Sequence, residues 1–89
     1  MPELNITIHH AVGLHARPAA LFVQTAKRFA STITVRNGER TANAKSIVQV
    51  LTLGARQGSV LTISAEGDDA DAALAALQAL IASNFEGAP

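Results

Sequence analysis

The hydrophobic residues of this 89-residue chain change period several times along its length, and each change limits what the local backbone can be. Leu4, Ile6 and Ile8 alternate with Asn5 and Thr7, the period-two mark of a strand with one buried face. Residues 9–14 read as a loop. From Ala16 to Ala30 the spacing turns helical, with Ala19, Phe22, Val23, Ala26, Phe29 and Ala30 on one stripe. Pro18 falls in the first turn, where a missing N–H costs nothing. Ile33 and Val35 then alternate with Thr32, Thr34 and Arg36. Asn37-Gly38 is a strong hairpin signal. The second hairpin arm, Arg40–Ala44, is poor in apolar residues and reads as an edge strand. Ser46 with Gln49 three residues on predicts a capping box that opens a short helix, and Gly54 closes it. Gly58-Ser59 turns the chain into a fourth strand, Val60–Ala65. Gly67-Asp68-Asp69 leads into a last helix capped by Asp68 or Asp69. The stripe of that helix is Ala70, Ala73, Leu74, Leu77, Leu80 and Ile81. The tail from Asn84 onwards is expected to fray.

The predicted order is strand, helix, strand, strand, helix, strand, helix. Every strand alternates, so the sheet has one buried and one wet face. Three helices can cover the buried face, which makes a two-layer α+β domain. The chain has room for one such domain, spanning 1–89, and too little for two. Only three Phe and no Trp or Tyr are present, so Leu, Ile, Val and Ala must fill a thin core. Seven Lys+Arg balance seven Asp+Glu, which argues against a general nucleic-acid binder. Cysteine is absent, which removes disulfides and thiol chemistry. No apolar run approaches the roughly 20 residues that span a bilayer. The first residues lack the basic and apolar regions of a signal peptide. A cytoplasmic protein without membrane insertion is the expectation.

Gly13-Leu14-His15-Ala16-Arg17-Pro18-Ala19 carries the chemistry. Gly13 permits a sharp turn before the helix. His15 is expected at or beside the N-cap, where free backbone N–H groups and the helix dipole favour an anion. Arg17 can bring a guanidinium to the same anion. A largely neutral imidazole can act as nucleophile. The set suits reversible phosphoryl transfer. Helix-end stabilisation is only about 0.3–2 kcal/mol, so an attached group could leave again. The plainer reading of the same residues is a surface histidine at a helix start with a solvated arginine.

The stretch from Gly13 to Ala19 resembles the active-site signature of the HPr family, the histidine-containing phosphocarriers of the bacterial phosphoenolpyruvate:sugar phosphotransferase system. Ala44-Lys45-Ser46-Ile47 running to Leu53-Gly54 resembles the family's regulatory-serine block. Gln57-Gly58-Ser59-Val60-Leu61-Thr62-Ile63-Ser64-Ala65-Glu66-Gly67 is similar to its last strand. The resemblance covers about the whole chain. It implies an open-faced β-sandwich, with a four-stranded antiparallel sheet and three helices on one face. It implies that His15 is phosphorylated on Nδ1 and that Arg17 neutralises the phosphoryl oxygens. Ser46 would be the serine phosphorylated by HPr kinase/phosphorylase in some bacteria. The implied partners are enzyme I and enzyme IIA domains; the chain would be a monomeric carrier without a cofactor and not a stand-alone catalyst. Val12, Gln49, His9 and His10 depart from the family pattern, and bear on partner preference. The ending Ser83-Asn84-Phe85-Glu86 is similar to the nitrogen-related paralogue NPr, while the Ala-Lys-Ser-Ile block fits the sugar branch better.

His9, His10 and His15 lack a neighbouring Asp, Glu or Cys, so no metal site is expected. The short helix Ile47–Leu53 cannot bury all its apolar side chains. With Val50 and Leu53 inward, Val48 and Leu51 point outward and Ile47 lies at the boundary, forming a patch that suits a partner. Ala16, Ala20, Gln24 and Lys27 share a ridge of the first helix and would form the other half of that docking face. Two further functions compete with the carrier. A regulatory module of the same fold, acting without phosphotransfer, is disfavoured because His15 and Arg17 are both present. An RNA- or metabolite-binding domain lacks exposed aromatics for base stacking and room for a deep pocket.

Overall fold

The computed structural model describes residues 2–9, 16–83 and 85. Its elements are β1 (Glu3–Thr7), α1 (Ala16–Ala26), β2 (Thr32–Asn37), β3 (Arg40–Asn43), α2 (Ile47–Thr52), β4 (Val60–Glu66) and α3 (Ala70–Ala82). The strands form one antiparallel sheet in the order β1-β4-β2-β3. The expected α+β architecture holds, with three helices on one face of a four-stranded sheet. The loop expected over 9–14 falls outside the described residues, except His9.

Alternation sets the two layers. Ile33, Val35, Ala42, Leu61, Ile63 and Ala65 are buried, and half-buried Leu4 and Ile6 extend the same face. Register places Val35 between Ala42 and Ile63, and Ile63 beside Leu4. Phe22 and Val23 of α1, Val50 of α2, and Leu77 and Ile81 of α3 close over them. The other face carries Glu3, Asn5, Thr34, Arg36, Thr62 and Ser64. There Thr62 Oγ1 donates to Asn5 Oδ1 at 2.7 Å. The α3 stripe predicted from Ala70 to Ile81 is buried at every named position.

Helix α1 ends four residues earlier than its stripe predicts. The amides of Arg28 and Phe29 donate back to Thr25 and Ala26 at 3.2 Å, tightening the last turn. Phe29 is half-buried and Ala30 is exposed. The carboxylate of Asp69 accepts the amides of Ala30 at 2.8 Å and Ser31 at 2.9 Å, and the Ser31 hydroxyl as well. Those bonds draw the chain out of the helix and aim it into β2. Asp69 does occupy the N-cap position of α3, but its side chain makes no capping bond there. The distant turn takes it instead.

Gly67 makes this approach possible. Its φ is +148°, and a Cβ on it would lie 2.8 Å from the Ser31 Cα. A side chain would force two backbones apart. In the β2–β3 hairpin, Asn37 pairs with Arg40, so the loop is Gly38-Glu39 and not Asn37-Gly38. Gly38 takes φ +62° at the first loop position, as a type II′ turn requires. The tail also departs from expectation: Phe85 is buried against the core, and its amide donates to Leu80 O at 2.9 Å. Burial of an aromatic ring outweighs the tendency of a chain end to fray. Asn84 and residues 86–89 lie outside the described residues.

Hydrogen bonds from Ser31 and from the Ala30 amide hold the Asp69 carboxyl below its ordinary value of 3.8. A carboxyl lowered in the folded state contributes stability that is present above its unfolded value and is lost as pH falls through the folded one. Asp69→Asn should therefore be less stable than the parent at pH 7. The gap should shrink as pH falls below about 3.8, the ordinary value. Urea midpoints at pH 7 and pH 3 check this, and a gap that stays constant would show that the charge is not what matters.

Candidate functional site

The candidate site lies at the start of α1, the helix against which α2 packs. In the first turn of α1, Pro18 and Ala19 are buried and anchor the turn, while Ala16 and Arg17 are exposed. Among the described residues Arg17 has no hydrogen-bond or ion-pair partner, so its guanidinium is free to meet an incoming anion. His15 immediately precedes α1 in the chain. It lies outside the described residues, with His10, Val12, Gly13 and Leu14. His9 is exposed, and its carbonyl accepts Gln57 Nε2 at 3.4 Å.

Helix α2 presents three apolar side chains to solvent: Ile47 at 38%, Val48 at 68% and Leu51 at 41% exposure. Val50 and Leu53 are buried. This division follows from a helix of one and a half turns with apolar residues around its whole circumference. Ala16 and Gln24 of α1 and Lys27 just after it are exposed, and Ala20 is half-buried. Lys45, just before Ser46, is not free: its Nζ donates to Phe29 O at 2.7 Å.

Ser46 is the N-cap of α2, and its Oγ accepts the Gln49 amide at 3.3 Å. Only this half of the predicted capping box forms. The Gln49 Oε1 does not return to the Ser46 amide but accepts the Asn43 amide at 2.8 Å. The Ser46 amide donates to Asn43 O at 3.0 Å. Leu53 is the C-cap, and Gly54 follows with φ +66°, as expected for a residue that ends a helix. At this end Asn37 Nδ2 donates to Leu53 O and Arg40 Nη1 to Thr52 O, both at 2.9 Å. Neither contact is visible in the amino-acid sequence. Asn37 reads as a turn residue, Arg40 as a charge on an edge strand, and their acceptors lie 16 and 12 residues away at the C-terminal end of α2.

The model of the family described as "PTS HPr component phosphorylation site" matches residues 2–83. The chain belongs to the HPr family. A phosphocarrier protein HPr of Haemophilus influenzae is 54% identical over 81 residues, covering 91% of this chain and 95% of the relative. The crystal structure of HPr-C-His from Thermoanaerobacter tengcongensis superposes with a TM-score of 0.94 at 50% identity, covering 100% of both chains. That of an HPr from Bacillus anthracis gives a TM-score of 0.86 at 44% identity, covering 90% of this chain and 95% of the other. This chain is thus an HPr-type phosphocarrier of the phosphotransferase system. No helix among the described residues is long and apolar enough to cross a membrane.

Loss of the α2 cap should be measurable, because so short a helix has little other local support. Ser46→Ala should lower stability by about 1 kcal/mol, the usual cost of an N-cap serine. Urea unfolding checks it, and an unchanged midpoint would mean that packing alone holds the helix.

Proposed function

We propose that this chain accepts a phosphoryl group from phospho-enzyme I on His15 and passes it to enzyme IIA domains in sugar uptake. Family membership, with His15 and Arg17 standing in the family's motif, carries this reading. The imidazole Nδ1 forms the new bond to phosphorus as the donor's bond to it breaks; the return step reverses the same exchange. The Arg17 guanidinium, exposed and unpaired among the described residues, neutralises phosphoryl oxygens during transfer. It stabilises charge on the group in flight more than on either end state. No deep cavity is needed, because each partner supplies the other wall of the site. The carrier works as a cytoplasmic monomer in this reading.

Docking uses Ile47, Val48 and Leu51 of α2 with Ala16, Ala20 and Gln24 of α1 and Lys27 just after it. Burying the exposed apolar side chains against a partner supplies association energy, at about 25 cal/mol per Å². Ser46 borders that patch. A phosphate placed there by a kinase carries about −1.5 to −2 charges at pH 7. A partner that covers the patch would have to desolvate that charge.

Intact-mass measurement after incubation with phosphoenolpyruvate and enzyme I tests the central claim. The unmodified chain should gain one acid-labile phosphate, and His15→Ala should gain none. Arg17→Ala should fold normally and slow single-turnover transfer in both directions. A His15→Ala chain that still takes phosphate would overturn the assignment.

Ser46→Asp separates stability from docking. An aspartate can cap α2 and its charge is favoured at a helix start, so the melting temperature should hold or rise slightly. Acceptance from enzyme I should weaken. Equal transfer by Ser46→Asp, phospho-Ser46 and unmodified protein would leave Ser46 as a helix cap only.

A further inference from the structure

We propose that Gln49, Asn37 and Arg40 are positioning residues for partner docking. They clamp both ends of α2 to the β2–β3 hairpin and so hold Ile47, Val48 and Leu51 in one presentation. The inference rests on the docking role proposed above for those three apolar residues.

Helix α2 has six residues, well under the dozen or so at which an isolated helix becomes even marginally stable. Its packing is thin as well, since Val50 is the only residue of α2 itself that is buried. Beyond its packing on α1, a set of hydrogen bonds to the β2–β3 hairpin holds its two ends. At the N-terminal end the Asn43 amide donates to Gln49 Oε1 at 2.8 Å, and Asn43 O accepts the Ser46 amide at 3.0 Å. Asn43 closes the edge strand, and its neighbour Ala44 turns the other way to donate to Ile33 O at 3.0 Å. The backbone groups of Asn43 therefore point away from β2. Gln49 and Ser46 occupy both of them. At the C-terminal end Asn37 and Arg40, the closing pair of the hairpin, take the Leu53 and Thr52 carbonyls. Those carbonyls are among the last of the helix and have no partner within it.

Both clamps come from the same rigid two-stranded unit, and neither uses the outward face of α2. Gln49 is exposed and Asn37 half-buried, so neither is needed to fill the core. With a clamp released, α2 samples orientations in which the patch does not match a partner. Apparent affinity then falls by the fraction of time the competent orientation is lost. The phosphoryl exchange itself, at His15 and Arg17, is untouched once the complex has formed.

The test is transfer from phospho-enzyme I at varied carrier concentration, for the unmodified chain, Gln49→Leu, Arg40→Met and Gln49→Glu. Gln49→Leu and Arg40→Met should raise KM roughly three- to tenfold, the factor expected from one lost hydrogen bond, at unchanged kcat. Gln49→Glu keeps an acceptor for the Asn43 amide and should return KM close to that of the unmodified chain. In the free protein, Gln49→Leu should speed hydrogen exchange of the Asn43 amide. An unmodified chain that transfers phosphate, beside a Gln49→Leu chain with the same KM, overturns the clamp alone. A fall in kcat at constant KM, or no rescue by Gln49→Glu, also overturns it. An unmodified chain that takes no phosphate overturns the function proposed above and this inference with it.

Discussion

The central pairing of β2 with β4 runs from Thr32 opposite Glu66 to Arg36 opposite Thr62, and the other elements take their places from it. Each strand of this pair has a second neighbour, β3 for β2 and β1 for β4. Their inward residues, Ile33, Val35, Leu61, Ile63 and Ala65, form the floor on which the helices pack. The pairing also brings two turns together at one end. The α1–β2 turn ends at Ser31 and the β4–α3 turn begins at Gly67, next to the Thr32–Glu66 pair. That nearness lets one carboxylate, Asp69, satisfy two amides and a hydroxyl of the opposite turn. It also explains why residue 67 can carry no side chain.

The opposite strategy builds α2. The sheet and α3 gain their stability from burying apolar area, whereas α2 gives much of its apolar area to solvent. A helix that exposes Val48 and Leu51 forgoes part of its own burial energy. Side-chain hydrogen bonds at its two ends make up for that, and each is worth about 0.5–1.5 kcal/mol. Placing them on the hairpin leaves the outward face free. The edge strand gains too, because Gln49 and Ser46 occupy backbone groups of Asn43 that could otherwise recruit a foreign strand.

A carrier has different requirements from an enzyme. It has to hold the phosphoryl group long enough to reach the next partner and give it up on contact. An exposed arginine in the first helical turn suits this. In the proposed transfer role it stabilises charge when an anion is present, yet solvent screening keeps the hold weak. In the function proposed above, recognition is spread over neighbouring helices, so affinity and chemistry reside on separate residues and can vary separately.

Much of this was legible in the chain itself. The periods of two and 3.6 place β1, α1, β2, β4 and α3, and the turn and cap signals place β3 and α2, because all of these depend only on residues close together in the chain. The fully buried α3 stripe and the edge character of β3 follow in the same way. The Gly13–Ala19 motif is legible because its residues are contiguous, and the role proposed for His15 and Arg17 rests on it. Tertiary structure decided the rest. Asp69 reads as a helix cap, and only the closing of β2 on β4 brings Ala30 and Ser31 within its reach. Asn37 reads as half of a turn until α2 places the Leu53 carbonyl beside it. Gln49 fits a capping box, yet its Oε1 accepts from the Asn43 amide of the edge strand and not from the Ser46 amide. Helix α1 ends at Ala26, although its apolar stripe continues, because the chain has to turn there to enter β2. Local periodicity is written in neighbouring residues. The choice of hydrogen-bond partner is made between groups distant in sequence, and it exists only after the sheet has brought them together.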